Sequence, residues 1–125
     1  MVYHTDGYTI KSNPSKIGGG FTICNGIDGE LIKTKEIRKK NFTNNEAELL
    51  GVLESARLLP QNSEIITDSM NTIYWVRRGK SKARPDLDKL CDEAKELIKQ
   101  KNLKITWKPR EENWAGVYNE ERNGR

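Results

Sequence analysis

The stretch TNNEAELLGVLESARLLP, residues 43–60, decides the fold. Thr43 followed three residues later by Glu46 is the capping-box signature of a helix N-terminus. Leu49, Val52, Leu53 and Ala56 then recur at the spacing that lays one apolar stripe along a helix, and Pro60 ends it. A short run rich in β-branched residues, Glu64 to Thr67, follows and stops at Asp68, so a buried helix leads into a short strand.

Upstream of this unit, Val2 to Thr5 is rich in β-formers and stops at Asp6-Gly7. A polar turn containing Asn13-Pro14 and Gly18-Gly19-Gly20 leads into Phe21, Ile23 and Cys24, which predicts a hairpin. A second turn over Gly26 to Gly29 precedes a third strand, Leu31 to Arg38, whose lysines mark a protected edge. Downstream, Ser69 to Arg78 reads as a short helix closed by Gly79. Pro85 opens another, with the stripe Leu87, Leu90, Cys91, Ala94, Leu97 and Ile98. Leu103 to Trp107 alternates as a last strand, and a terminal helix is expected around Ala115 to Glu121. The order is β-β-β-α-β-α-α-β-α. Strands reached through helical crossovers lie parallel to their neighbour, so the expected class is α/β, a mixed five-stranded sheet flanked by helices. Residues 1–125 read as one domain, without repeats or linkers.

Charged residues make up 32% of the chain, and Lys+Arg exceed Asp+Glu by 22 to 18 for a net +4, a balance that suits a polyanionic partner without proving one. No apolar run approaches the roughly 18 residues of a membrane span, and MVYHTDGYTI lacks the regions of a signal peptide, so a cytoplasmic protein is expected. Cys24 and Cys91 stand apart without metal-binding spacing and read as small buried apolar residues.

Three acidic residues sit at element boundaries: Asp6 after the first strand, Glu48 in the opening turns of the capped helix, and Asp68 after the fourth strand. Parallel neighbouring strands bring their C-terminal ends to one edge of a sheet, where Asp6 and Asp68 meet. Converging carboxylates need a cation, and oxygen donors without a His or Cys cluster indicate Mg²⁺ or Mn²⁺. Taken singly, an Asp before Gly is a common turn residue and an Asp before Ser a common cap.

Together, these residues and their surroundings resemble the type 1 ribonuclease H family, from Val2 to about Glu120. The matching pieces are Thr5-Asp6-Gly7, Asn13-Pro14 with Gly18-Gly19, Thr43-Asn44-Asn45-x-x-Glu48-Leu49, and Thr67-Asp68-Ser69, in family order. The resemblance selects Glu48 over Glu46 as a metal ligand and gives Asp6 and Asp68 the first and third carboxylate positions. It implies hydrolysis of the RNA strand of an RNA/DNA hybrid by a metal-activated water, with two Mg²⁺ ions per site and Mn²⁺ able to substitute. Products would carry 5′ phosphate and 3′ hydroxyl ends. It also implies that Asn13, Asn44 and Asn45 contact sugars and bases and that Thr43 contacts a DNA phosphate.

The sequence departs from the family pattern in three places. The Ala-Asp pair of the last helix is missing from Asn113-Trp114-Ala115-Gly116-Val117, so Glu120 is expected as the fourth metal ligand, with Asn119 close behind. The loop Lys108 to Asn113 has no histidine, leaving Arg110 or Glu112 to substitute, and the sole histidine, His4, is expected to pack or bond beside Asp6. In place of a long basic protrusion, Trp75-Val76-Arg77-Arg78-Gly79-Lys80 begins a basic run reaching Arg84, from which Trp75, Arg77, Arg78 and Lys80, with Arg110, are expected to bind the substrate. No protein partner is indicated and a monomer is expected; a free-standing enzyme, rather than a polymerase fragment, is expected because Met1 runs directly into the first strand. A hybrid-binding module without catalysis and another nuclease of the same superfamily remain the alternatives.

Overall fold

A computed structural model describes residues 1–123. Five strands form one sheet: β1 (Val2–Thr9), β2 (Gly18–Asn25), β3 (Leu31–Arg38), β4 (Glu64–Thr67) and β5 (Lys104–Trp107), in the spatial order β3-β2-β1-β4-β5. The first three make an antiparallel meander, and β4 and β5 lie parallel to β1 and to each other. The helices are α1 (Asn44–Leu58), α2 (Met70–Arg78), α3 (Asp88–Gln100) and α4 (Trp114–Asn123). Single 3₁₀ turns over Pro85–Leu87 and Arg110–Glu112 lead into α3 and α4. Among the described residues no helix is long and apolar enough to cross a membrane.

The expected architecture is observed, with two shifts at the N-terminal hairpin. Asp6 does not end the first strand: β1 continues to Thr9, because β2 pairs with it from Tyr3↔Asn25 through Thr9↔Gly19. Its parallel partner β4 pairs only from Val2↔Glu64 to His4↔Ile66. Asp6 therefore lies mid-strand on one side and beyond the end of the neighbouring strand on the other. The glycines at 18–20, expected in the turn, instead open β2, where a side chain on Gly20 would run into the Tyr8 ring.

Strand alternation assigns the two faces. Thr5 and Phe21 point at Gly51 of α1, whereas their neighbours Asp6 and Thr22 bond to Asn119 of α4. The larger core lies on the α1 face, where Leu49, Val52, Leu53, Ile65, Val76 and Cys91 are buried among α1, α2 and α3. Cys24 is also buried and, like Cys91, is a free thiol.

The helix ends follow the sequence closely. Thr43 Oγ1 accepts from the Glu46 N–H at 3.1 Å, but the Glu46 carboxylate turns to Lys39 and Arg84 rather than completing the box. Ser69 Oγ accepts from the Thr72 N–H, and Gly79 closes α2 at φ +80°, a left-handed conformation that favours glycine. Lys101 Nζ donates to the carbonyls of Ala56, Arg57 and Leu59, capping the C-terminal end of α1 from across the core.

His4 is buried, and its Nδ1 accepts from the Trp114 N–H at 3.0 Å, fastening the start of α4 to β1. That bond requires a neutral ring with its proton on Nε2. Burial, reinforced by Lys108 and opposed by Glu64, holds the imidazole below its ordinary value of 6.5. A lowered histidine pKa leaves stability intact above that value and removes it as pH falls below, where the unfolded chain takes up a proton that the folded one resists. Chemical denaturation from about pH 7.5 to about pH 5.5 should therefore show a smaller loss of stability in His4→Gln than in the parent; equal losses would exclude His4 as the source.

Candidate active site

The distinguishing local feature is Gly7. A Cβ there would sit 2.5 Å from the Glu48 nitrogen and 2.6 Å from the Ala47 carbonyl carbon, so only glycine lets α1 rest directly on β1. The Gly7 N–H donates to Glu48 Oε1, along an edge of β1 that β4 has vacated. Glu48 thereby enters the gap at the end of the parallel pair.

Asp6 from β1, Glu48 from α1 and Asp68 from the end of β4 each offer a carboxylate oxygen, and these atoms lie within 4.8 Å of one another. Asp6 is 1% exposed and Glu48 2%, while Asp68 opens to solvent. Burial, followed by the charges of Asp6 and Asp68, pushes the Glu48 carboxyl well above the usual carboxylate range. Thr67 Oγ1 lies 3.4 Å from Glu48 Oε2. An all-oxygen donor set this crowded fits a hard divalent cation, whose charge relieves the repulsion.

The rim is polar. Asn44, Asn45, Ser69, Met70, Asn71 and Arg110 line a cleft of about 350 Å³ with Glu48 and Asp68. Arg110 Nε approaches Asp68 Oδ2 at 3.5 Å, which puts a cation where the loop lacks histidine. Glu112, the other residue expected to substitute there, is exposed in the 3₁₀ turn beside it. Asn13 Oδ1 accepts from the Asn44 N–H at 3.0 Å, pinning the β1–β2 loop to the start of α1.

Two of the expected site residues lie apart from the acidic group and its rim. Glu120 is exposed on α4 and stands outside the acidic group; Asn119, one position earlier and 1% exposed, donates from Nδ2 to Asp6 Oδ2 at 2.9 Å and to the Asp6 carbonyl at 3.2 Å. A one-residue step turns a helix by about 100°, so the two side chains cannot share a face. Trp75, expected among the substrate contacts, is 7% exposed and packs in the core beside Ile73 and Val76, leaving Arg77, Arg78 and Lys80 at the surface.

Two further contacts were not foreseen from the sequence. Arg84 reaches Thr43 Oγ1 at 3.3 Å and Glu46 Oε1 at 3.2 Å, tying the basic loop to the start of α1. Trp107, 45% exposed, donates its indole N–H to the Asp68 carbonyl at 3.1 Å, just beyond the last β4–β5 rung. Both contacts join residues about forty positions apart, which no local pattern signals.

Several solved structures resemble this architecture. RNase H1 of the halophilic archaeon Halobacterium salinarum is 23% identical with a TM-score of 0.68, over 99% of this chain and 98% of that one. The N-terminal RNase H domain of a Mycobacterium tuberculosis protein, solved as a fusion with maltose-binding protein, is 23% identical with a TM-score of 0.68, over 94% and 92%. LC11-RNase H1, solved in complex with an RNA/DNA hybrid, is 23% identical with a TM-score of 0.59, over 90% and 87%. These likenesses establish the fold. Among curated protein sequences nothing matches the chain. The profile of the RNase H family matches residues 1–120, nearly the whole length and all three carboxylates, and the chain belongs to the RNase H family.

Proposed function

We propose that the protein is a metal-dependent endonuclease that hydrolyses the RNA strand of RNA/DNA hybrids. The observation that carries this reading is the convergence of Asp6, Glu48 and Asp68 at the end of the parallel strands, in a chain of this family. The neighbour bound to a hybrid supports the choice of substrate.

Asp6, Glu48 and Asp68 would hold two Mg²⁺ ions, with Mn²⁺ able to substitute. When bound, the ions supply Lewis acidity to the attacking water and to the leaving 3′ oxygen, so that in-line hydrolysis yields 5′ phosphate and 3′ hydroxyl ends. Asn119 takes the place of a fourth carboxylate, orienting Asp6 through two N–H donors without adding charge. Arg110, 3.5 Å from Asp68 Oδ2, would meet a phosphate of the strand being cut. Asn44 and Asn45 at the cleft supply donors and acceptors for a 2′ hydroxyl and base edges, which is how RNA is told from DNA. Asn13, Thr43, Arg77, Arg78 and Lys80 bind the hybrid along its length through sugar and phosphate contacts. The enzyme acts as a monomer in the cytoplasm on this reading.

A labelled RNA/DNA hybrid incubated with Mg²⁺ or Mn²⁺ tests the proposal. Cleavage of the RNA strand alone is expected, lost on chelation and reduced about 10²–10³-fold in Glu48→Gln and Asp68→Asn. Binding without cleavage would instead make the protein a hybrid-binding module, and cleavage of duplex DNA would make it another kind of nuclease. In the same assay Asn119→Ala should lose about tenfold or more, while Glu120→Ala stays within about twofold; the reverse pattern would restore Glu120 to the site.

The crowded carboxylates also govern stability without metal. Because the folded protein raises the Glu48 pKa, its contribution is fully present below the ordinary carboxylate range and is lost as pH rises through the folded value. Glu48→Gln should therefore melt about 3–6 °C higher than the parent at about pH 8 in chelator, and no higher at about pH 4. Added Mg²⁺ should narrow the gap by raising the parent more than the variant.

A further inference from the structure

Between β1, β2 and α4 lies a chain of buried polar side chains that the reaction as described leaves unexplained. Thr22 on β2 is fully buried, and its Oγ1 donates to Asn119 Oδ1 at 2.6 Å. Asn119 passes the contact to Asp6 by the two Nδ2 bonds already described. Thr34 on β3, exposed at the surface, adjoins this buried pair, with its Oγ1 3.4 Å from that of Thr22.

The orientation of the Asn119 amide follows from chemistry. The Asp6 carbonyl and an ionised Asp6 carboxylate are acceptors only, so the amide nitrogen must face them with both of its hydrogens. Its oxygen is then turned to Thr22, which must donate. With the Thr22 hydrogen committed, the oxygen's remaining lone pairs face Thr34, whose one hydrogen also has the Phe21 carbonyl within reach at 3.3 Å. Thr22 thus fixes Asn119, and the polarity runs from β2 to the carboxylate.

Packing alone does not account for this arrangement. Two apolar side chains at positions 22 and 119 would fill the same space without the desolvation cost of a buried hydroxyl and amide. What the polar pair adds is a directed pair of N–H groups at Asp6. We infer that Thr22 is a positioning residue for the metal site, holding the Asn119 amide so that it presents donors, and not its oxygen, to Asp6. The inference rests on the metal-dependent reading proposed above and extends it to a strand that contributes no carboxylate.

Thr22→Val keeps the shape and removes the hydroxyl, while Thr22→Ser keeps the hydroxyl and removes a methyl. Calorimetric titration of the whole chain with Mn²⁺, in the absence of nucleic acid, is the deciding measurement, with circular dichroism confirming that each variant is folded at the temperature used. Thr22→Val should bind Mn²⁺ about tenfold more weakly than the parent, and Thr22→Ser within about threefold of it. In the cleavage assay the Mn²⁺ concentration for half-maximal rate should rise in the same order. Parent-like affinity in Thr22→Val overturns the inference, as do equal losses in Thr22→Val and Thr22→Ser, which would mark a packing defect. Should Thr22→Val fail to fold, Thr22→Ser with weakened binding overturns it and with retained binding supports it. No Mn²⁺ binding by the parent would overturn the metal-dependent reading and this inference together, an outcome distinct from either failure of the variants.

Discussion

The contact between α1 and β1 at Gly7 is the constraint on which the rest of the structure depends. A helix ordinarily stands off a sheet by the length of its side chains; here the backbone of Ala47 and Glu48 lies against the backbone of β1 because position 7 carries no side chain. That contact brings a glutamate from one face of the sheet to an aspartate presented on the other, through the gap where β4 stops and β1 runs on. With a side chain at position 7, Glu48 could not take the Gly7 N–H, and the three carboxylates would not share one edge.

The carboxylates are brought together against their own repulsion. The larger core on the α1 face holds Glu48 and Asp68 in place through α1, β4 and the helices that pack on them. On the opposite face a single helix, α4, reaches the site, and it is fastened by polar contacts: Asn113 Nδ2 to the Thr5 carbonyl, the Trp114 N–H to His4, and Asn119 to Asp6. One face supplies rigidity through apolar burial, and the other supplies directed hydrogen bonds.

Much of this was legible in the sequence. The Thr43 cap, the stripe from Leu49 to Ala56 and the short strand ending at Asp68 are local signals, and the structure carries all three. The meander and the parallel crossovers follow from element order, and with them the edge where Asp6 and Asp68 meet. Less legible were features set by partners far along the chain. The full extent of β1 depends on its register with β2, so a reading of residues 2–5 alone stops too soon. Glu120 and Asn119 differ only in which side of α4 they occupy, and a helix lacking a strong apolar stripe gives no phase from which to decide. Trp75 sits in a basic run whose composition suggests a surface, while its helical phase, shared with Thr72 and Val76, puts it inside.

The polar fastening of α4 also sets an order of events during synthesis. Asp6, Glu48 and Asp68 have all been made once the chain has passed residue 68, but the donors that orient Asp6 belong to Asn119, and the bonds from Asn113, Trp114 and Asn119 to β1 span 108 to 113 residues. Contacts of such separation close late, because a long loop must be ordered before they form. A nascent chain therefore carries the charged half of its site well before the half that aims it, and the site is assembled only after α4 has left the ribosome and docked.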